Sequence, residues 1–123
     1  MAGSYKDLIA WRKAMTMALD IYTATRAFPR DEMYGLCSQL RRAAVSIPSN
    51  IAEGQGRYSR REFYRFLNNA RGSLAEIETQ ILLTRELALL PPKESDGLLK
   101  KAEELGRILN GLIASTRKEV LST

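Results

Sequence analysis

Seven arginines stand between residues 41 and 71 (Arg41, Arg42, Arg57, Arg60, Arg61, Arg65 and Arg71), opposed within that stretch only by Glu53 and Glu62. That imbalance equals the whole net charge of the chain, +5, so the residues outside the stretch balance to zero. Arginine presents a planar fork of donors that suits phosphate oxygens and stacks on flat rings. Tyr58 and Tyr64 fall out of phase with any core and interleave with Arg57, Arg60, Arg61 and Arg65 in the run RYSRREFYR. Such interleaving suits phosphates and stacked bases, and it equally describes a solvated helix start. The expected chemistry is recognition of polyanion backbone, with Arg41, Arg42, Arg57, Arg60, Arg61 and Arg65 as the phosphate contacts; the competing expectation makes Arg41 and Arg42 internal ion-pair partners of Glu53, Glu62 or Glu76 and leaves only the loop arginines free.

Other chemistries find little support. There is no histidine, which removes the commonest metal ligand and the commonest general base at neutral pH. The single cysteine, Cys37, excludes an internal disulfide and a thiolate metal site, and its phase with Leu36 and Leu40 marks it as a small core residue. Glu76 and Glu78 are two apart on a helix and face different ways, and Glu103-Glu104 beside Lys100-Lys101 reads as a solvated charged face. Ser46, Ser49 and Ser59 have no base to activate them. The stretch Glu53-Gly54-Gln55-Gly56 lacks the Gly-Lys-Ser/Thr that a phosphate loop needs and reads as a helix end. The expectation is a protein that is not an enzyme, with no metal, no cofactor and no small-molecule substrate. An enzyme with an unrecognised carboxylate site is the outlying alternative.

The elements that carry these residues follow from periodicity. No alternation of period two persists, whereas four stretches keep the three-four rhythm of amphipathic helices. The expected helices span about 7–27, 31–53, 59–89 and 94–121. Leu8, Trp11, Met15, Ala18 and Tyr22 form the expected core face of the first, ended by Phe28-Pro29. Asp31 and Glu32 suit the positive start of the second, whose core face is Met33, Leu36, Leu40, Ala44, Ile47 and Ile51. Pro48 inside it predicts a kink or short break, with Gly54 as a stopping place. Ser59 followed by Glu62 is a capping box for the third, with Phe63, Phe66, Ala70, Leu74, Ile77, Ile81, Thr84 and Ala88 inward and Pro91-Pro92 as its stop. The fourth begins at Lys93 or Ser95 and buries Leu98, Ala102, Leu105, Leu109, Leu112 and Thr116.

Short connections between long amphipathic helices make neighbours antiparallel, so the expected fold is all-α, an antiparallel up-down-up-down four-helix bundle forming one domain over 1–123. In that topology the Gly54 turn shares an end with the start of the first helix and the finish of the fourth. Lys6, Arg12, Lys13, Arg117 and Lys118 join the central arginines there, with Asp7 and Glu119 opposing, giving one basic and one mildly acidic end. The second helix also carries a polar face, Gln39, Arg42, Ser46, Asn50 and Glu53, within a residual small-residue and polar stripe of Arg42, Ala43, Ser46, Ser49, Asn50 and Glu53. Serine, asparagine and proline weaken an exposed helix for no gain, so Ser46, Ser49, Asn50 and Glu53 are expected at a contact with a neighbouring subunit or helix. No run of apolar residues matches a membrane span, and MAGSYKDLIAWRK lacks the apolar block of a secretory signal, so a cytoplasmic location is expected.

Several of these residues together resemble a known family. Phe28-Pro29 with Glu32, Tyr34, Gly35 and Leu36, then Gln39, Arg41, Arg42, Ala43, Ser46, Pro48, Asn50, Ile51, Ala52, Glu53, Gly54 and Arg57, resemble the signature of the bacterial four helix bundle proteins, the 23S ribosomal RNA intervening-sequence protein family. Asp7, Leu8, Trp11 and Ala14 extend the likeness, as do Phe63, Phe66, Leu67, Ala70, Gly72, Ser73 and Glu76. It covers Tyr5 to Ile113, and the Pro91-Pro92 loop and the last residues carry no diagnostic motif. Members are encoded in intervening sequences of large-subunit ribosomal RNA genes and are sometimes labelled ribosomal proteins. The resemblance implies a ring-shaped homopentamer and a relative, the accessory variability determinant of diversity-generating retroelements, that binds nucleic acid and works with a reverse transcriptase. It implies RNA or DNA, a reverse transcriptase or a ribosomal component as partners, and it carries over no catalytic residue. The alternative to nucleic-acid binding is a structural protein–protein interaction module whose basic end docks an acidic partner.

Overall fold

The structure, a computed structural model, describes residues 4, 5 and 8–122. The described residues form four helices, α1 (Ile9–Thr25), α2 (Leu36–Gly56), α3 (Arg60–Glu86) and α4 (Pro92–Leu121), with a 3-10 turn at Arg30–Glu32 before α2. Lys6 and Asp7, expected at the basic end and at the first helix start, lie outside the described residues.

Pairings across the seams fix the direction of each helix. Gln80 meets Gln39 and Ser73 meets Ser46, so α3 descends as α2 ascends in number. Arg85 meets Asp96 and Arg60 meets Glu119 between α3 and α4. Lys101 on α4 donates to Asp20 on α1 and closes the ring of helices. Each helix packs on its two neighbours and not on the diagonal one. This is the antiparallel up-down-up-down bundle. Its core runs through Ile21, Leu40, Ile47, Ile51, Phe63, Leu67, Leu74, Ile77, Ile81, Leu105 and Leu109, all buried. Cys37 is buried among them.

Leu112 on α4 is only partly buried, and the inward faces of α2, α3 and α4 otherwise follow the expected phase except at Met33 and Ala88. Both are exposed because both lie outside the helices. The second helix starts five residues later than expected. Residues 30–35 wind as the 3-10 turn and a further turn, and Gly35 is the N-cap of α2. The Glu32 carboxylate accepts the backbone N–H of Leu36 at 3.3 Å, so this acid does serve the positive end of the helix, from outside it. The helix then continues unbroken through Pro48 to Gly56. Pro92 does not only stop α3: it is the first residue of α4, where its missing N–H costs no helical bond.

The α1 face is a correction. Ala10, Ala14, Met17, Ala18 and Ile21 are buried, whereas Met15 and Tyr22 are exposed and Leu8 and Trp11 only partly buried. The helix carries two apolar stripes, and the one with three alanines turns inward. Small side chains let α1 approach its neighbours closely, which leaves the larger Trp11, Met15 and Tyr22 on the outer flank.

Candidate nucleic-acid interface

Three residues, 57–59, join α2 to α3. Ser59 is the N-cap of α3, and its hydroxyl accepts the Glu62 N–H at 3.2 Å. The other half of the capping box is diverted, because the Glu62 carboxylate takes two donors from Arg65 at 3.1 and 3.0 Å. The Arg65 hydrogen bond holds Glu62 below the usual carboxylate range, and the charges of Arg65 and Arg57 add to it.

The turn is tight because α2 and α3 nearly touch at Gly54. A Cβ there would lie 2.6 Å from Phe66 Cβ and 3.2 Å from Phe63 Cδ1. The glycine serves close helix approach and does not stop the helix. The two phenylalanines it admits then anchor the arginines. The Arg60 guanidinium sits 4.7 Å from the centre of the Phe63 ring, and Arg57 and Arg65 sit 5.3 and 4.5 Å from that of Phe66.

Each of these arginines also has an acid or amide neighbour. Arg57 donates to Glu53 at 2.9 Å, and Arg60 donates to the Gln55 side chain at 3.3 Å and lies 3.6 Å from Glu119. Arg61 is exposed and has no partner among the described residues. Arg117 and Lys118, in the last turns of α4, are exposed near the same end. The structure therefore brings together Arg57, Arg60, Arg61 and Arg65.

It does not bring Arg41 and Arg42 to them. Arg42 lies fifteen residues before Arg57 on one continuous helix, about 22 Å away at 1.5 Å per residue. Arg41 is a cross-brace between α1 and α2. Its Nε donates to Thr25 Oγ1 at 2.9 Å, its Nη2 donates to the Tyr22 carbonyl at 3.4 Å, and its guanidinium covers the Tyr22 ring at 4.6 Å. Both arginines sit in the half of the bundle away from the turn, so the charge separation between the ends is weaker than expected.

The polar stripe of α2 divides. Ser46 donates to the Ala43 carbonyl and accepts from the Ser73 hydroxyl, inside the α2–α3 seam. Asn50 donates to the Ser46 carbonyl at 2.7 Å, and Glu53 pairs with Arg57. Ser49 lines a different surface, a groove of about 430 Å³ between α1 and α2 whose walls are Trp11, Met15, Leu19, Tyr22, Val45 and Pro48. The sequence pattern does not reveal this groove, because its periodicity assigns Trp11, Met15 and Tyr22 to the core. Among the described residues no group of His, Cys, Asp and Glu side chains converges as a metal site, and no helix is long and apolar enough to cross a membrane.

Residues 6–111 match the family described as 23S rRNA-intervening sequence protein. A crystal structure of a protein of unknown function from the S23 ribosomal protein family of Bacteroides thetaiotaomicron superimposes with a TM-score of 0.81. The two chains are 22% identical, and the match covers 89% of this chain and 98% of that one. At that identity the likeness speaks for the fold. No curated protein matches the chain.

Proposed function

The chain belongs to the 23S rRNA-intervening sequence protein family, and from that premise we propose that it is a non-enzymatic helical bundle that binds nucleic-acid backbone through the end formed by the α2–α3 turn. One observation carries the reading: Arg57, Arg60, Arg61 and Arg65 converge on a three-residue turn and the first turns of α3, with Arg57, Arg60 and Arg65 held on the faces of Phe63 and Phe66. A guanidinium resting on a ring keeps its N–H edge free for phosphate. The acids beside Arg57, Arg60 and Arg65 are at the surface, where an ion pair contributes little and a phosphate can take the acid's place. Among the described residues no strand or helix protrudes from this end to read base edges, so contacts to the backbone dominate and sequence preference is weak.

Ring assembly, as the resemblance implies, would repeat this end around one axis. The groove between α1 and α2 supports assembly, because Met15, Leu19, Tyr22 and Val45 expose apolar surface there.

The test is the triple change Arg57→Glu, Arg60→Glu and Arg61→Glu, with helicity and molecular mass measured first. The parent should bind labelled RNA and DNA with an affinity that falls steeply with salt. The variant should bind far more weakly, and its slope of log affinity against log salt should be shallower by about 0.9 for each phosphate it no longer neutralises. Unchanged binding at low salt by a folded variant would remove the basic end as the site. Binding to an acidic protein without binding to either polynucleotide would favour the docking module instead.

A further inference from the structure

Tyr58 occupies a turn position where a side chain is a burden to the backbone. It follows the last residues of α2 with φ of 54°, in the left-handed region that glycine adopts freely and a bulky residue rarely does. Its N–H donates to the Gln55 carbonyl at 3.4 Å, one of the bonds that close the end of α2. No packing offsets the strain, because Tyr58 is 91% exposed. Ala88, at the corresponding place after α3, also has a positive φ, of 57°, but offers only a methyl group. Tyr58 instead holds a whole phenol ring in solvent. The residues on either side of it are tied down, Arg57 to Glu53, Arg60 to Gln55, and Ser59 to the N–H of Glu62.

We propose that Tyr58 is a stacking position for an unpaired nucleobase, and that the exposed Arg61 takes a phosphate of the same strand. This rests on the reading of the α2–α3 end as a nucleic-acid site and narrows its ligand to single-stranded or looped-out nucleic acid. A continuous duplex covers both faces of every internal base, whereas an unpaired base leaves its π-face open to an aromatic ring. Stacking is indifferent to base identity, which agrees with an end whose described residues form no base-reading element.

The experiment measures binding of the full chain to labelled oligo(dT), oligo(U) and a duplex of the same length, for the parent, Tyr58→Ala, Tyr58→Phe, Tyr58→Gly and Tyr34→Ala. Tyr34 is a control, being fully exposed at the opposite end of the bundle. Tyr58→Ala should weaken single-strand binding roughly 5- to 150-fold, the size of one base–aromatic stack, while duplex affinity and the salt slope stay as in the parent. Tyr58→Phe should keep the parent's affinity, and Tyr34→Ala should change nothing. Tyr58→Gly should weaken single-strand binding as Tyr58→Ala does and yet melt at a higher temperature than the parent, which separates an absent stack from impaired folding. Oligo(dT) and oligo(U) should respond alike. Should Tyr58→Ala bind single strands like the parent while the triple arginine variant does not, stacking is wrong and the basic site stands. Should the parent bind neither single strand nor duplex, the underlying reading falls and this one with it.

Discussion

Gly54 shows how one residue can stand out in a sequence and still mislead. A glycine near the end of an amphipathic pattern is a natural stopping signal, and α2 passes through it to Gly56. Its purpose is set by Phe63 and Phe66, nine and twelve residues further on, which lie against the bare Cα. A single chain's periodicity says which way each helix faces and nothing about how closely two helices approach. Arg41 is obscured for the same reason: its type suits phosphate, and only the fold reveals that Thr25 and Tyr22 already occupy its donors. Those acceptors are not legible in the sequence, whereas the loop arginines are, because a turn and a capped helix start expose whatever they carry. Gly54→Ala places a methyl against Phe66 Cβ, a backbone-proximal atom that cannot swing away. The expected cost is about 1–3 kcal/mol of stability, the usual range for an overpacked core site, read from a urea or thermal melt. A change of only a few tenths would mean that the α2–α3 seam opens there without strain.

At the scale of the element, the helices most legible in the sequence are those with a single apolar stripe. α2 and α3 each carry one row of large residues that runs the length of the helix, so their inward faces can be read directly. α1 carries two, and the choice between them depends on how near its partners come. The region 30–35 looks helical because Asp31, Glu32 and Met33 fit a helix start, but Gly35 and the Glu32 cap move the start to Leu36. The end of α3 has its own signature. Leu89 N–H donates to the Thr84 carbonyl and Ala88 N–H to the Arg85 carbonyl, the paired bonds of a Schellman cap, with alanine in the left-handed place usually held by glycine. Ala88→Gly relieves the Cβ clash of that conformation and adds freedom to the unfolded chain, so the two effects partly offset. The net expectation is a stabilisation of up to about 1 kcal/mol, measured as a higher melting temperature with helicity unchanged. Destabilisation would mean that the cap is not held in the left-handed region in solution.

For the whole molecule, the outer flank of α1 is the surface that the bundle does not use for its own core. Leu19 is 64% exposed, and Met15, Tyr22 and Val45 stand beside it along the groove. A second exposed apolar set, Leu82, Leu83 and Leu87, lies on α3 and its C-terminal turn, on another side of the bundle. Two different apolar surfaces on one chain suit a head-to-tail contact, and such contacts close into rings when the rotation allows. Cyclic symmetry would then place every α2–α3 turn at an equivalent position about the axis, so that arginines too few in one subunit act together. Light scattering at micromolar concentration should give a mass of about five subunits, the number the family resemblance implies. Leu19→Glu puts a charge into the groove while leaving the buried face of α1 untouched, so it should retain helicity and scatter as a smaller species. The smaller species should also show a shallower salt dependence of nucleic-acid binding, because fewer phosphates are neutralised at once. A parent that stays monomeric at every concentration would remove the ring, and a Leu19→Glu variant that assembles like the parent would move the interface away from α1.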